Sequence, residues 1–184
     1  MIAFTHEDKV YLAIPMGIHS RINKAEVDYE YEENWDAFFA DDDTNTIIAV
    51  DAAYDRTIDL IRYSGIFDGC SVTKKSLYAI KPKIDLVLED TNADVEKKEY
   101  GLLVARNDKM YEIRSCGLVI EHCDFERIGE SRQYSYAVYE NVKHIDDPVE
   151  RINKYYKQIE HLSGRSAFPV VVINTGSKEH TMLY

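Results

Sequence analysis

The chain has 184 residues, with 33 acidic against 22 basic side chains and a net charge of −11. Hydrophobic residues make up 45% and charged ones 30%, a balance that builds a core and excludes a disordered chain. The longest cationic clusters are Lys74-Lys75 and Lys97-Lys98, which excludes the basic stripe of a nucleic-acid footprint. No apolar stretch approaches the ~20 residues of a membrane helix. The length fits one domain spanning 1–184, large enough to withdraw roughly 70% of the unfolded chain's surface from water.

Two extended arms come first, Ile2-Ala3-Phe4-Thr5 and Lys9 to Ile14, around the polar turn His6-Glu7-Asp8; they predict a hairpin. Val27-Asp28-Tyr29-Glu30-Tyr31 alternates apolar and acidic residues as a half-buried strand does. Trp35 to Ala40 and Thr46 to Val50 flank Asp41-Asp42-Asp43-Thr44-Asn45 and read as a second hairpin. The triple aspartate reads as a solvated loop tip, because no glycine or ligand ladder of a calcium loop follows it.

From Ala52 the period changes to that of a helix, with Tyr54, Ile58 and Ile61 on one stripe and Gly65 as the stop. A second helix is predicted over Thr73 to Ile80, halted near Pro82. Ile84 to Leu88 reads equally as strand or helix end, and Glu89 to Glu99 as a polar surface loop. Strands return at Gly101 to Ala105, Met110 to Ile113 and Gly117 to Ile120. Tyr134, Ala137, Val138 and Val142 mark another helix. The strongest local signature follows: Asp147 before Pro148, with Glu150 three residues on, is a capping box with proline at the first helical position. Ile152, Tyr155, Tyr156, Ile159 and Leu162 form its apolar stripe and Gly164 its stop. An apolar run Phe168 to Ile173 and a strand His180 to Tyr184 close the chain. Packing rules then favour an α+β, four-layer αββα sandwich, two antiparallel sheets face to face with helices on both outer faces.

The familiar chemistries find no foothold. There is no G-x-S-x-G elbow, phosphate loop, dinucleotide fingerprint or H-E-x-x-H, so no cofactor and no metal is expected. Cys70, Cys116 and Cys123 are an odd number, which points to a reducing, cytoplasmic setting rather than a disulfide framework. Cys116, His122 and Cys123 have the best metal-like spacing, but neighbours on a strand face opposite ways. His161 beside Glu160 reads as a solvated helix end.

The order of elements resembles a proteasome subunit of the beta or bacterial HslV type, an N-terminal-nucleophile hydrolase fold. The resemblance rests on the opening hairpin, on Thr46-Ile47-Ile48-Ala49-Val50-Asp51-Ala52-Ala53 as strand into small-residue helix start, on the paired strands ending in Met110-Tyr111-Glu112-Ile113 and Cys116-Gly117, and on Ile128-Gly129-Glu130-Ser131 as the turn into a helix. It implies a nucleophilic hydroxyl or thiol on the first residue, with that residue's own amine as base. Aligning Ala3-Phe4 places that nucleophile two residues before Met1. The tuning aspartate falls on Pro15, the lysine near Tyr31 with Lys24 as a displaced candidate, and the turn serine on Glu130. Glu160 and Ser163, before Gly164, keep the acid and serine that end the late helix. Thr5 is the one Ser, Thr or Cys in the first sixteen residues, and cutting before it would remove most of the first strand.

What the resemblance implies is therefore a proteasome-like subunit with a degenerate cleft at Met1, Pro15, Tyr31, Glu130, Glu160 and Ser163, assembling with copies of itself, with an ATPase or peptide partner left open. Neither nucleic acid nor membrane is an expected partner. Two alternatives stand beside it: an active hydrolase with an atypical or upstream N-terminus, and a peptide- or ligand-binding module on the same scaffold.

Overall fold

The computed structural model describes residues 1–16, 38–41, 45–52, 55–89, 99–129, 132–164, 167–177 and 180–184. The expected strand at 27–31, the triple-aspartate tip at 42–43 and the loop at 90–98 lie outside the described residues. Among the described residues there are ten strands and four helices: β1 Ile2–His6, β2 Lys9–Pro15, β3 Phe38–Asp41, β4 Thr46–Ala52, α1 Asp55–Tyr63, α2 Lys74–Glu89, β5 Tyr100–Arg106, β6 Lys109–Arg114, β7 Val119–His122, β8 Phe125–Arg127, α3 Arg132–Val142, α4 Pro148–Ser163, β9 Val170–Asn174 and β10 His180–Leu183.

The strands form two five-stranded antiparallel sheets, ordered β10-β9-β2-β1-β8 and β3-β4-β5-β6-β7. Near-continuous apolar runs such as Ile47 to Val50 and Val170 to Ile173 are what strands buried on both faces require. Alternate side chains of each strand serve different layers. Ala3, Leu12, Ile47, Ala49, Leu103 and Val171 meet between the sheets. Phe4, Ala13 and Val172 face the other way, onto Val138, Ile152 and Tyr155 of α3 and α4. Ile48, Val50, Leu102 and Ile113 pack beneath Ile58, Ile61, Leu77 and Ile84 of α1 and α2. The four-layer αββα sandwich expected from the sequence is present.

Three local expectations need correction. Helix α2 does not halt at Pro82 but runs through it to Glu89, taking Ile84 to Leu88 with it. Proline removes one intrahelical hydrogen bond, yet Leu77, Ile80, Ile84 and Leu88 are all buried and keep helical spacing across it, so packing of that stripe prevails. Leu162, placed on the buried stripe of α4, is 48% exposed, whereas Ile152, Tyr155, Tyr156 and Ile159 are buried. Strand β8 had no sequence signature, because three residues with two charges carry no readable period.

The cap of α4 is as the sequence indicates. The Asp147 side chain accepts a hydrogen bond from Glu150 N at 2.6 Å, and Gly164 closes the helix at φ 69°, the left-handed conformation that glycine adopts without strain. Asp147→Ala is expected to cost about 1 kcal/mol in urea unfolding, while Asp147→Asn restores most of it.

Candidate functional site

The first residue is built into the sheet. Met1 O accepts from Ile128 N and the Met1 amine donates to Ile128 O, both at 3.1 Å, which extends the β1–β8 ladder by one rung beyond Ile2↔Arg127. The β1–β2 register pairs Ile2 with Ala13, so one step outward sets Met1 beside Ile14, with Pro15 bordering it. The sheets approach closely here because two glycines leave room. A Cβ on Gly101 would stand 3.4 Å from Ile128, and one on Gly129 would stand 3.2 Å from the Asp51 carboxylate. Gly129 also holds φ +88°, a conformation that side chains resist. Its carbonyl accepts from Arg127 Nη1 at 2.8 Å.

Burial disfavours charge on the Met1 amine and takes its pKa from 8.0 to about 6; Asp51 pushes it up and Arg127 pushes it down. Roughly nine-tenths of the amine is then neutral at pH 7, the form that accepts a proton or attacks a carbonyl. The sign of the linkage follows: the unfolded chain holds the extra proton, so this group's contribution to stability rises as pH climbs from about 6 to 8. A ¹⁵N titration of the α-amine is expected to show a midpoint of about 6; an ordinary value near 8 would mean that water reaches it.

Of the expected cleft positions, Met1 falls opposite Ile14 by extension of the β1–β2 register, Pro15 is one residue farther along β2, and Tyr31 and Glu130 lie outside the described residues. Glu160 and Ser163 sit at the end of α4, where Glu160 Oε1 accepts from Ala167 N at 2.7 Å and so closes the helix end. Asp51, part of the strand-to-helix motif in the sequence, acts on the amine through its charge; a carboxylate at the end of the apolar run of β4 is the one sequence signal of that role. Thr5 is committed to structure, with Oγ1 donating to Cys123 O at 2.6 Å.

A second cluster lies between the sheets at their other edge. His122 Nδ1 is 2.9 Å from Glu126 Oε2, and its Nε2 is 3.5 Å from Glu112 Oε2. Glu112 also binds Arg114 through Nε and Nη2, at 2.6 and 2.9 Å. Glu126 accepts from Arg127 N at 2.8 Å and from Tyr136 OH at 3.0 Å. These three residues have metal-ligand chemistry, but the ring is inserted between the carboxylates with a nitrogen toward each, and Arg114 covers Glu112. As described, the cluster is an ion-pair network. Cys123 is exposed while His122 turns inward, so the two do not converge.

No protein-family model and no curated protein matches this sequence. Solved structures do. Thiobacillus denitrificans BPH superposes with a TM-score of 0.74 at 12% identity, over 94% of this chain and 96% of that one. Trypanosoma brucei HslV gives 0.67 at 14% identity, over 94% and 97%. The fold is that of the proteasome-type N-terminal-nucleophile hydrolases. Anbu, an ancestral beta-subunit from Yersinia bercovieri, shares the proteasome-type fold at a TM-score of 0.69 and 11% identity, over 98% and 85%. At these identities the likeness concerns the scaffold; the proteasome-type fold carries this chain's own side chains at the β1 end. Among the described residues no helix is long and apolar enough to cross a membrane.

Proposed function

We propose that this chain is a non-catalytic, self-assembling subunit on the proteasome-type scaffold, acting in the cytoplasm. The observation that carries the reading is the side chain at the buried amine. Met1 bears a thioether that packs against the core between the sheets, where nucleophilic catalysis on this scaffold needs a hydroxyl or thiol next to the amine. Pro15, at the position the resemblance assigns to a tuning carboxylate, adds no charge. The reading predicts a particle several times the 21.3 kDa of one chain by light scattering at micromolar concentration; a monomer there would count against it. Cytoplasmic residence is supported by Cys70, Cys116 and Cys123, all free thiols.

A second reading has an observation of its own. Burial at this end of the sheet moves an amine toward its neutral, proton-accepting form, so a Ser or Thr terminus with its own amine buried there would supply both the nucleophile and the base of an amide hydrolase. N-terminal sequencing of protein from its own host separates the two.

A further inference from the structure

The chain crosses from the second sheet to the first between β7 and β8 in two residues, Cys123 and Asp124. Thr5 N and Oγ1 donate to Asp124 O and Cys123 O and tie this link to β1; how the two sheets meet across it is set by the facing side chains. Elsewhere the inner faces meet through apolar side chains. At the corner they meet through charge: Glu112 from β6, His122 from β7 and Glu126 from β8, with the Glu112 and Glu126 side chains only 2% and 5% exposed.

We propose that His122 is a proton-operated latch that fixes the β7–β8 corner and, through β8, the backbone that receives the Met1 amine. Nδ1 lies 2.9 Å from Glu126 Oε2, while Nε2 points toward Glu112 Oε2 at 3.5 Å without forming a hydrogen bond; two carboxylates facing one ring favour the imidazolium, donating to Glu126 and held by Glu112 through charge. With it, two carboxylates balance one imidazolium and the Arg114 guanidinium. Without that proton, a net negative charge is left in a dry space, and burying an unbalanced charge is costly. The groups facing the ring are Glu112 and Arg114 from β6 and Glu126 from β8, with Tyr136 of α3 holding Glu126 from behind. On the opposite face of β7, Glu121 pairs with Lys109 at 3.7 Å, and Lys81 of α2 pairs with Asp85.

The path to the Met1 amine is short. Glu126 is paired with Ala3, its carboxylate holds Arg127 N, and the next residue, Ile128, makes both hydrogen bonds to Met1. Burial opposes charge on His122, but the Glu112 and Glu126 carboxylates outweigh it and hold its pKa at about 9. The same partners overcome burial and keep both carboxyls below their ordinary value. The latch is complete from above about 4.5 to about 6.5; it weakens as pH rises through 9 or falls through the lowered carboxyl range. The Met1 amine contributes with the opposite sign between 6 and 8, so global stability alone would blur the effect.

The test reads the ring and the corner together in the full chain. A ¹⁵N-imidazole titration, with His122→Gln to assign the signal, is run beside hydrogen exchange of amides 119–129 from pH 6 to 10, corrected for intrinsic rates. Expected are two protonated ring nitrogens at pH 7, a midpoint near 9, and at least a tenfold loss of corner protection over that titration, with α4 amides unchanged. In His122→Gln the corner should already be tenfold less protected at pH 7. Should that variant not fold, Glu126→Gln should shift the ring's midpoint downward by a unit or more. A ring that is neutral at pH 7, or corner protection that ignores its titration, would overturn the latch.

Discussion

Phe4→Ala is expected to lower the free energy of unfolding by about 3–5 kcal/mol, the largest effect of any single truncation in the first strand. Phe4 is fully buried, stacks on Tyr11 at 5.7 Å and leans on Tyr139 at 5.9 Å. The Arg151 guanidinium covers its ring at 4.9 Å and is itself tied to Ile145 O at 2.7 and 2.9 Å. Removing the ring therefore leaves a cavity and strips one face from a buried cation. Urea unfolding checks it, with Phe4→Leu expected to recover most of the loss. The result also decides whether Thr5 can ever be a first residue. A chain beginning there would lack Ile2, Ala3 and Phe4, all buried, and it is expected not to fold.

Gly129→Ala is expected to destabilise by about 2–4 kcal/mol, combining a side chain at positive φ, worth about 1–3 kcal/mol, with a methyl group 3.2 Å from the Asp51 carboxylate. Gly69→Ala separates the two contributions. It has a similar φ of +62° but nothing within 4 Å, so only the backbone cost of about 1–2 kcal/mol should appear. Pushing Asp51 away also takes from the Met1 amine the charge that raises its pKa. The amine midpoint in Gly129→Ala should therefore fall below that of the parent chain, whereas Gly69→Ala should leave it unchanged. Equal losses in the two variants, with no movement of the amine, would show that Asp51 does not crowd Gly129.

The layered sandwich was readable because long apolar runs and capped helices state their own partners. Ile47 to Val50 can only be a strand buried on both faces, and Asp147-Pro148 can only start a helix. Pro82 misled because a local backbone rule was applied where the buried stripe from Leu77 to Leu88 decides the outcome. Leu162 misled in the other direction, since helical spacing alone does not say where the neighbouring sheet ends. The site was partly readable. The turn at Glu7-Asp8 fixes the hairpin register, which sets Met1 opposite Ile14 with Pro15 one residue beyond. Asp51 beside the amine and the Glu112–His122–Glu126 network were not foreseen, because each joins strands distant in sequence through a contact between sheets. Alternation assigns a side chain to a face but not to its opposite number.

Under the proposed reading, the buried amine at the start of β1 has a thioether, and no hydroxyl or thiol, on its own residue. Intact-mass spectrometry of the protein from its own host, before and after treatment with an electrophilic peptide probe, tests this most directly. Expected is a chain that still begins with Met1 and gains no mass. A chain whose first residue is Ser, Thr or Cys, carrying the probe on that residue, would contradict it.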